Sequence, residues 1–325
     1  MQRFAIAALA AAGLVLSGTA KAQQDFSRVE VVTKDLGKRT YMLEGGGGNI
    51  TVAVGDDGVI MVDSQFAPMH DKIKAAVEAL TKAPIKYLIN THYHGDHTGG
   101  DEGFAKDGAK VISHENVKAR LAAGTTNGLT GAKVAPVTGM GLPSQTYKTS
   151  MVVKVKGRSA TVRHVNNAHT DGDTFVWFAD ANVMATGDVV TLGRYPNIDF
   201  ANGGGIRGMV ASVDSYLKLT NANTKFVPGH GPVVGRAEVA EYRALLVAAR
   251  DRVGKLVAAG KTEQEAIAAR PMADYDAKLA ANEQASTNFI RVVYNSLMQD
   301  KMAKAEKAKA KANGGDVVGN GKKKA

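Results

Sequence analysis

A chain of 325 residues with 44% apolar and 22% charged residues can bury a sizeable core, which excludes a disordered or fibrous protein and leaves one large domain or two small ones. It contains no cysteine, so no disulfide can form, and any metal must be held by histidine, aspartate or glutamate. The net charge of +10 gathers at the ends: residues 1–22 carry +2, the tail from Lys301 carries +6, and the body keeps only about +2, too little for a nucleic-acid-binding stripe.

The N-terminus, "MQRFAIAALAAAGLVLSGTAKAQQ", places Arg3 before an apolar run over residues 4–16 and ends in the small-x-small pattern Ala20-Lys21-Ala22. This pattern predicts a secretory signal cleaved after Ala22, and hence a periplasmic or secreted protein. The run is shorter than the about 20 apolar residues that a spanning helix needs, and no second run follows, so no membrane span is expected. From residue 39 short β-branched runs alternate with turn signals: "TYMLE", "GGGGN", "ITVAV", "GDDG", "VIMVDS". Ile73, Val77 and Leu80 give residues 69–82 helical spacing, and the strand "IKYLIN" follows. "KVISH" and the helix "ENVKARLAA" come next, and residues 124–148 read as a long surface loop.

A second cycle runs through "MVVKVKG", "ATVRHV", "TFVWFAD" and "NVMATGDVV", a helix over residues 206–219, and "TKFVPGHG". Helices over residues 236–260, 262–269 and 283–304 close the chain. Two similar halves of this kind predict an α/β (α+β) fold of four layers, αββα, with two sheets facing each other and helices outside. No linker divides it, so residues 23–304 read as one domain. Residues 305–325, rich in lysine, alanine and glycine without apolar periodicity, read as a basic disordered tail.

The chemistry gathers in "INTHYHGDHTGGD", residues 89–101, which places His92, His94 and His97 around Asp96 as H-x-H-x-D-H. Residues i and i+2 of an extended segment face the same way, so His92 and His94 can share one metal, and a turn at Gly95 lets Asp96 and His97 serve another. Three later strand ends offer further ligands: His169 in "NNAHTDGD", Asp188 in "ATGDVV" and His230 in "VPGHG". His70, His114 and His164 read as capping, surface or packed residues. Asp171 and Asp173 read as turn acids, and Trp177 and Phe178 as core.

In this order the residues resemble the metallo-β-lactamase superfamily, whose ordered motifs match Asp63, the H-x-H-x-D-H cluster, His169, Asp188 and His230 over roughly residues 39–235. The resemblance implies two zinc ions per chain, another divalent metal being able to take their place. One would be held by His92, His94 and His169, the other by Asp96, His97 and His230, with Asp188 bridging. Asp63 would stand behind the ligands and orient them. The implied reaction is hydrolysis by a hydroxide shared between the ions, with Asp96 holding the nucleophile and passing on its proton.

Asp188 stands where one group of β-lactam-cleaving members carries cysteine, which excludes the cysteine type of zinc site; histidine at position 94 sets aside the diiron members, which carry glutamate there. A bridging aspartate is the pattern of glyoxalase-II-like thioesterases, acyl-homoserine lactonases and tRNA-processing nucleases. Export and the near-neutral body disfavour glutathione conjugates and tRNA. The expectation is therefore a small-molecule hydrolase, with β-lactam cleavage first, a lactonase or thioesterase next, and a metal- or partner-binding protein as the non-enzymatic alternative. The loop "EGGGGN" falls where relatives carry a flap, its glycines offering mobility or a plain hairpin turn. "TLGRYPNIDF" offers Arg194 for a substrate carboxylate and Tyr195 for an oxyanion.

Overall fold

Side chains alternate across a strand, and here the alternation sorts the apolar residues into three cores. The computed structural model describes residues 25–313. The expected signal segment, residues 1–22, and the last part of the expected tail lie outside them. The first sheet comprises β1 (Val32–Gly37), β2 (Thr40–Glu44), β3 (Ile50–Val54), β4 (Val59–Val62), β5 (Ile85–Ile89) and β6 (Lys110–His114), with β9 (Gln145–Tyr147) at its edge. Pairing is antiparallel from β1 to β4 and parallel from β4 through β5 and β6 to β9.

The second sheet has the order β10 (Ser150–Val155), β11 (Arg158–His164), β12 (Thr174–Phe178), β13 (Val183–Thr191) and β14 (Lys225–His230), and only the β13–β14 pair is parallel. Parallel neighbours need crossovers. These are supplied by α1 (His70–Leu80), α3 (Asp101–Lys106), α4 (Glu115–Ala123) and α5 (Ile206–Leu219).

Ile60 and Met61 are adjacent and both fully buried, yet they serve different cores. Ile60, with Met42, Val62, Ile89 and Ile112, meets Val162, Val176, Phe178 and Val227 between the sheets. Met61, with Leu43 and Leu88, packs under Ile73 and Val77 of α1 and Phe104 of α3. On the far side Phe175, Met184 and Phe226 pack on α5, on α6 (Arg236–Ala258) and on α9 (Glu283–Asn313). Each such fully buried side chain contributes about 1.5–3 kcal/mol. The result is the four-layer αββα sandwich that the two halves predict.

Several boundaries differ from the sequence expectation. Residues 124–148 are not one loop: β7 (Thr125–Thr126) and β8 (Lys133–Val134) form an antiparallel pair, and β9 extends the first sheet. The strand β1 was not expected, because most of its edge position is exposed and its sequence carries no apolar period. Two short helices, α2 (Gly95–Thr98) and α3, and the later α8 (Ala273–Leu279), beyond α7 (Glu263–Ala268), are too short for a periodic signal. The domain boundary expected at residue 304 falls inside α9, which continues to Asn313 although residues 301–310 are exposed. Alanine and lysine, both strong helix formers, sustain it without packing.

Candidate metal centre

The cluster forms at the carboxyl ends of parallel strands. Asp63 follows β4, the His92–His97 segment follows β5, and His230 ends β14. Asp188 lies within β13, where the register against β14 shifts around Gly187, a bulge that re-aims the next side chain. Asp63 takes a left-handed φ of 65° while its N–H bonds the Ile89 carbonyl at 2.9 Å. That conformation costs a non-glycine residue about 1–2 kcal/mol, and here it turns the carboxylate back toward the histidines.

Hydrogen bonds fix which nitrogen of His92, His94, His97 and His169 faces inward. The Thr91 hydroxyl donates to Asp63 Oδ2 at 2.7 Å, so it accepts from His92 Nδ1 at 3.0 Å and leaves the His92 Nε2 lone pair free. His94 Nε2 donates to Asp199 Oδ2 at 3.1 Å, leaving Nδ1 free. His169 Nδ1 donates to the Asn197 carbonyl at 2.9 Å, leaving Nε2 free. The three free nitrogens point at one another, with 3.1 Å between those of His92 and His94 and 2.9 Å between those of His94 and His169. Three lone pairs cannot bond each other. Ligands about 2.0–2.1 Å from one tetrahedral zinc lie about 3.3–3.4 Å apart, so this triangle can hold an ion.

The second set is built likewise. His97 Nδ1 donates to Asp63 Oδ2 at 2.8 Å, and its Nε2 lies 3.3 Å from Asp188 Oδ1 and 3.7 Å from Asp96 Oδ2. His230 Nε2 lies 3.1 Å from Asp96 Oδ2 and 3.5 Å from Asp188 Oδ1. The other Asp188 oxygen, Oδ2, lies 3.8 Å from His169 Nε2, a member of the first set. His97 Nε2 and Asp188 Oδ1 are buried and have no hydrogen-bond partner. Buried orphan acceptors are costly, and a cation coordinated by both would satisfy them.

The charges agree. Burial pushes His92 well below the usual histidine value, with His97 and His169 adding, so it stays neutral. Burial also opposes charge on His97, yet Asp63 and Asp188 hold its pKa well above the usual value. Asp188, against burial, is drawn well below the carboxylate range by His97, and Asp96, against burial, is held at about 2 by His230 and His97. A position that favours even a proton on a fully buried imidazole is one that calls for a cation. Asp63, Asp96, Asp188 and Asp199 place four carboxylates around the imidazoles of His92, His94, His97, His169 and His230, a donor set that suits divalent cations. His94, Asp96 and His230 keep 22, 28 and 26% of their side-chain surface exposed, whereas His97 and His169 keep none, so the open face lies over the first three.

The glycine loop is not the mobile flap that its composition allowed. Gly46 N–H donates to Gln65 Oε1 and Gln65 Nε2 donates to the Gly48 carbonyl; Gly48 N–H reaches the Asp96 carbonyl, and the Asn49 amide binds the Pro228 and Gly231 carbonyls. The glycines serve close approach: a Cβ on Gly48 would lie 2.1 Å from the His97 ring. Arg194 and Tyr195 are not brought to the cluster either. The Tyr195 hydroxyl donates to Asp276 at 2.8 Å, with the Met272 carbonyl 3.2 Å away, and its ring stacks on Phe289. Arg194 is exposed on a groove of about 400 Å³ against α6 and α8. The chain leaves β13 toward the C-terminal helices there and turns back to the cluster only at Asn197 and Asp199.

Those two residues, with Thr91, were missed. The only sequence signal was that they stand four residues or fewer from the residues chosen, or beside a ligand. The remaining histidines behave as expected: His114 and His164 stack at 3.7 Å, and His70 bridges Asp71 and Asp107. Asp173 accepts from the N–H and hydroxyl of Thr170 in the turn after His169.

Fold and cluster together define a metal-hydrolase scaffold of the αββα kind. The chain belongs to the metallo-β-lactamase superfamily, whose family model matches residues 43–260. Among characterised relatives it is 26% identical over 152 residues to the 2,4-dinitroanisole O-demethylase subunit alpha of Nocardioides sp. strain JS1661 (46% of this chain, 43% of that protein). It is 26% identical over 228 residues to the linear primary-alkylsulfatase of Pseudomonas sp. strain ATCC 19151 (57 and 42%). It is 28% identical over 147 residues to the hydroxyacylglutathione hydrolase of Nitrosococcus oceani (45 and 48%).

The chain thus spans less than half the length of these relatives. Among solved structures, a metallo-β-lactamase from Pontibacter korlensis matches with a TM-score of 0.54 at 15% identity, covering 67% of this chain and 99% of that one. The sec-alkylsulfatase Pisa1 from Pseudomonas sp. matches with 0.59 at 18% identity, covering 81 and 50%. Among the described residues no helix is long and apolar enough to cross a membrane.

Proposed function

We propose that the protein is an exported dinuclear zinc hydrolase that cleaves a carbonyl C–N or C–O bond of a small molecule, with β-lactams as the leading substrate class. The observation that carries the dinuclear reading is the division of the Asp188 carboxylate, one oxygen toward His97 and His230 and the other toward His169. A pair of bound divalent ions supplies Lewis acidity and a water acidified to near neutrality. Asp188 then holds the two ligand sets at a fixed separation. Asp63 and Asp199 keep the imidazoles in the tautomers whose lone pairs face inward. Asp96, the more exposed of the two inward acids, is the carboxylate that can hold a proton released by the nucleophile and pass it to the leaving group.

A β-lactam presents a strained amide to a secreted enzyme, and the open face over His94, Asp96 and His230 suits such a compact substrate. Lactone or thioester hydrolysis is the second reading, favoured by Asp188 as a bridging carboxylate and by the relative named hydroxyacylglutathione hydrolase. The test combines zinc content per chain with turnover of nitrocefin, an acyl-homoserine lactone, a glutathione thioester and a linear alkyl sulfate. Two zinc ions with nitrocefin turnover support the first reading. Turnover of the lactone or thioester alone moves the assignment to the second, and two zinc ions with no turnover of nitrocefin, lactone or thioester, whether or not the alkyl sulfate is cleaved, overturn both.

A further inference from the structure

The second half of the chain carries a clamp that touches only one of the two ligand sets. After β13 the segment Asn197–Asp199 returns to the cluster and engages two ligands at once. Its Asn197 carbonyl accepts from His169 Nδ1 at 2.9 Å, its Asp199 N–H donates to the His169 carbonyl at 2.8 Å, and Asp199 Oδ2 accepts from His94 Nε2 at 3.1 Å. The Asp199 carboxylate is itself held. The Tyr93 hydroxyl donates to Oδ2, and the Asn202 amide, 2.9 Å from both oxygens, also binds the Thr126 carbonyl of β7. Arg120 of α4 reaches Asn202 Oδ1 at 3.3 Å and Asp171 at 2.7 Å. The carboxylate is 5% exposed, so its charge acts on His94 with little screening.

We infer that Asp199 is the positioning residue of the first metal set, fixing His94 so that Nδ1 faces the ion, with no part in holding the second set. This rests on the dinuclear reading above. The contrast with Asp63 makes it specific. Asp63 bonds His97 directly and reaches His92 through Thr91, so it supports both sets. Asp199 meets His94 and His169, both of the first.

The test uses the full mature chain and zinc, titrated against a competing chromophoric chelator, with zinc-edge anomalous occupancy identifying the weakened position. Asp199→Ala is expected to weaken the ion at His92, His94 and His169 by about 10–100-fold, the usual effect of losing such a partner, and to leave the other within about twofold. Asp199→Asn, which keeps an acceptor but loses the charge, is expected to weaken the same ion less. Tyr93→Phe leaves the His94 bond in place and is expected to have the smallest effect.

Unchanged affinity at both positions in Asp199→Ala, or equal weakening at both, overturns the inference. If that variant does not fold, Asp199→Asn decides: a loss confined to the first position supports the inference, and no loss overturns it. The readout does not depend on turnover. A protein whose first ion alone weakens but which hydrolyses nothing keeps the inference and loses the hydrolase reading.

Discussion

Asp63 and Asp199 play parallel parts from opposite halves of the chain: each is a buried carboxylate that accepts an imidazole N–H and turns a lone pair toward the cluster. Asp63 directly follows a fully buried apolar strand, so its place in three dimensions follows from its place in sequence. Asp199 lies in an irregular segment, and its place depends on where the chain goes after β13 and on bonds to Tyr93 and Asn202, over a hundred and three residues away. A residue that directly follows a regular strand leaves a pattern, whereas a support deep in an irregular segment leaves only composition.

The largest expected effect lies where the halves meet. Asp188→Ala removes the only carboxylate among the described residues that faces both ligand sets, so zinc content and hydrolysis should fall together. Full activity with two bound ions would show that the halves do not share it. Next is the glycine loop of the first half. Gly48→Ala would press a methyl into His97, which Asp63 holds from behind, and should weaken the second ion by about tenfold or more. Gly95→Ala meets nothing within 4 Å and should spare both ions. Equal zinc affinities for the two variants would show that close approach is not what the glycines serve.

A smaller effect separates the buried acids by pH. Burial raises Asp101 to about 8, although Ser64 and Asn90 donate to it. Between the unfolded value of about 3.9 and that value the folded state keeps a proton that the unfolded chain has released, so metal-free stability falls as pH rises through this window. Asp101→Asn removes that slope. In denaturant unfolding at pH 5 and pH 8, the variant should gain on the parent at the higher pH, and a gap that stays constant would contradict the burial argument. Smallest is the pair expected from the sequence to touch substrate. Arg194→Ala and Tyr195→Phe should leave turnover unchanged, with Tyr195→Phe costing about 1 kcal/mol of stability through its lost bond to Asp276.

Much of the architecture was legible because both faces of the sheets are buried. Runs such as "ITVAV" and "VIMVDS" can only be strands between two layers, and their order predicts the sandwich. The seven residues that gather in the cluster were legible as well: five stand in the histidine-dense turn or at the end of β14, whereas Asp188, within β13, and His169, in the turn between β11 and β12, were marked by their glycine-flanked and turn-rich surroundings. What was hidden depends on other parts of the chain. The glycine loop looks mobile until Gln65 and Asn49 are seen to pin it. Arg194 and Tyr195 look available until the chain is seen to carry them toward α6 and α8. The exposed extension of α9 has no packing to announce it, only the helix propensity of alanine and lysine.

The central claim, that one carboxylate joins two ligand sets, is tested most directly by anomalous scattering at the zinc edge from crystals grown with zinc. The expected result is two peaks about 3.5–4 Å apart, one among His92, His94 and His169 and one among Asp96, His97 and His230, with Asp188 between them. A single peak, or two peaks with Asp188 bound to neither or to only one, would contradict it.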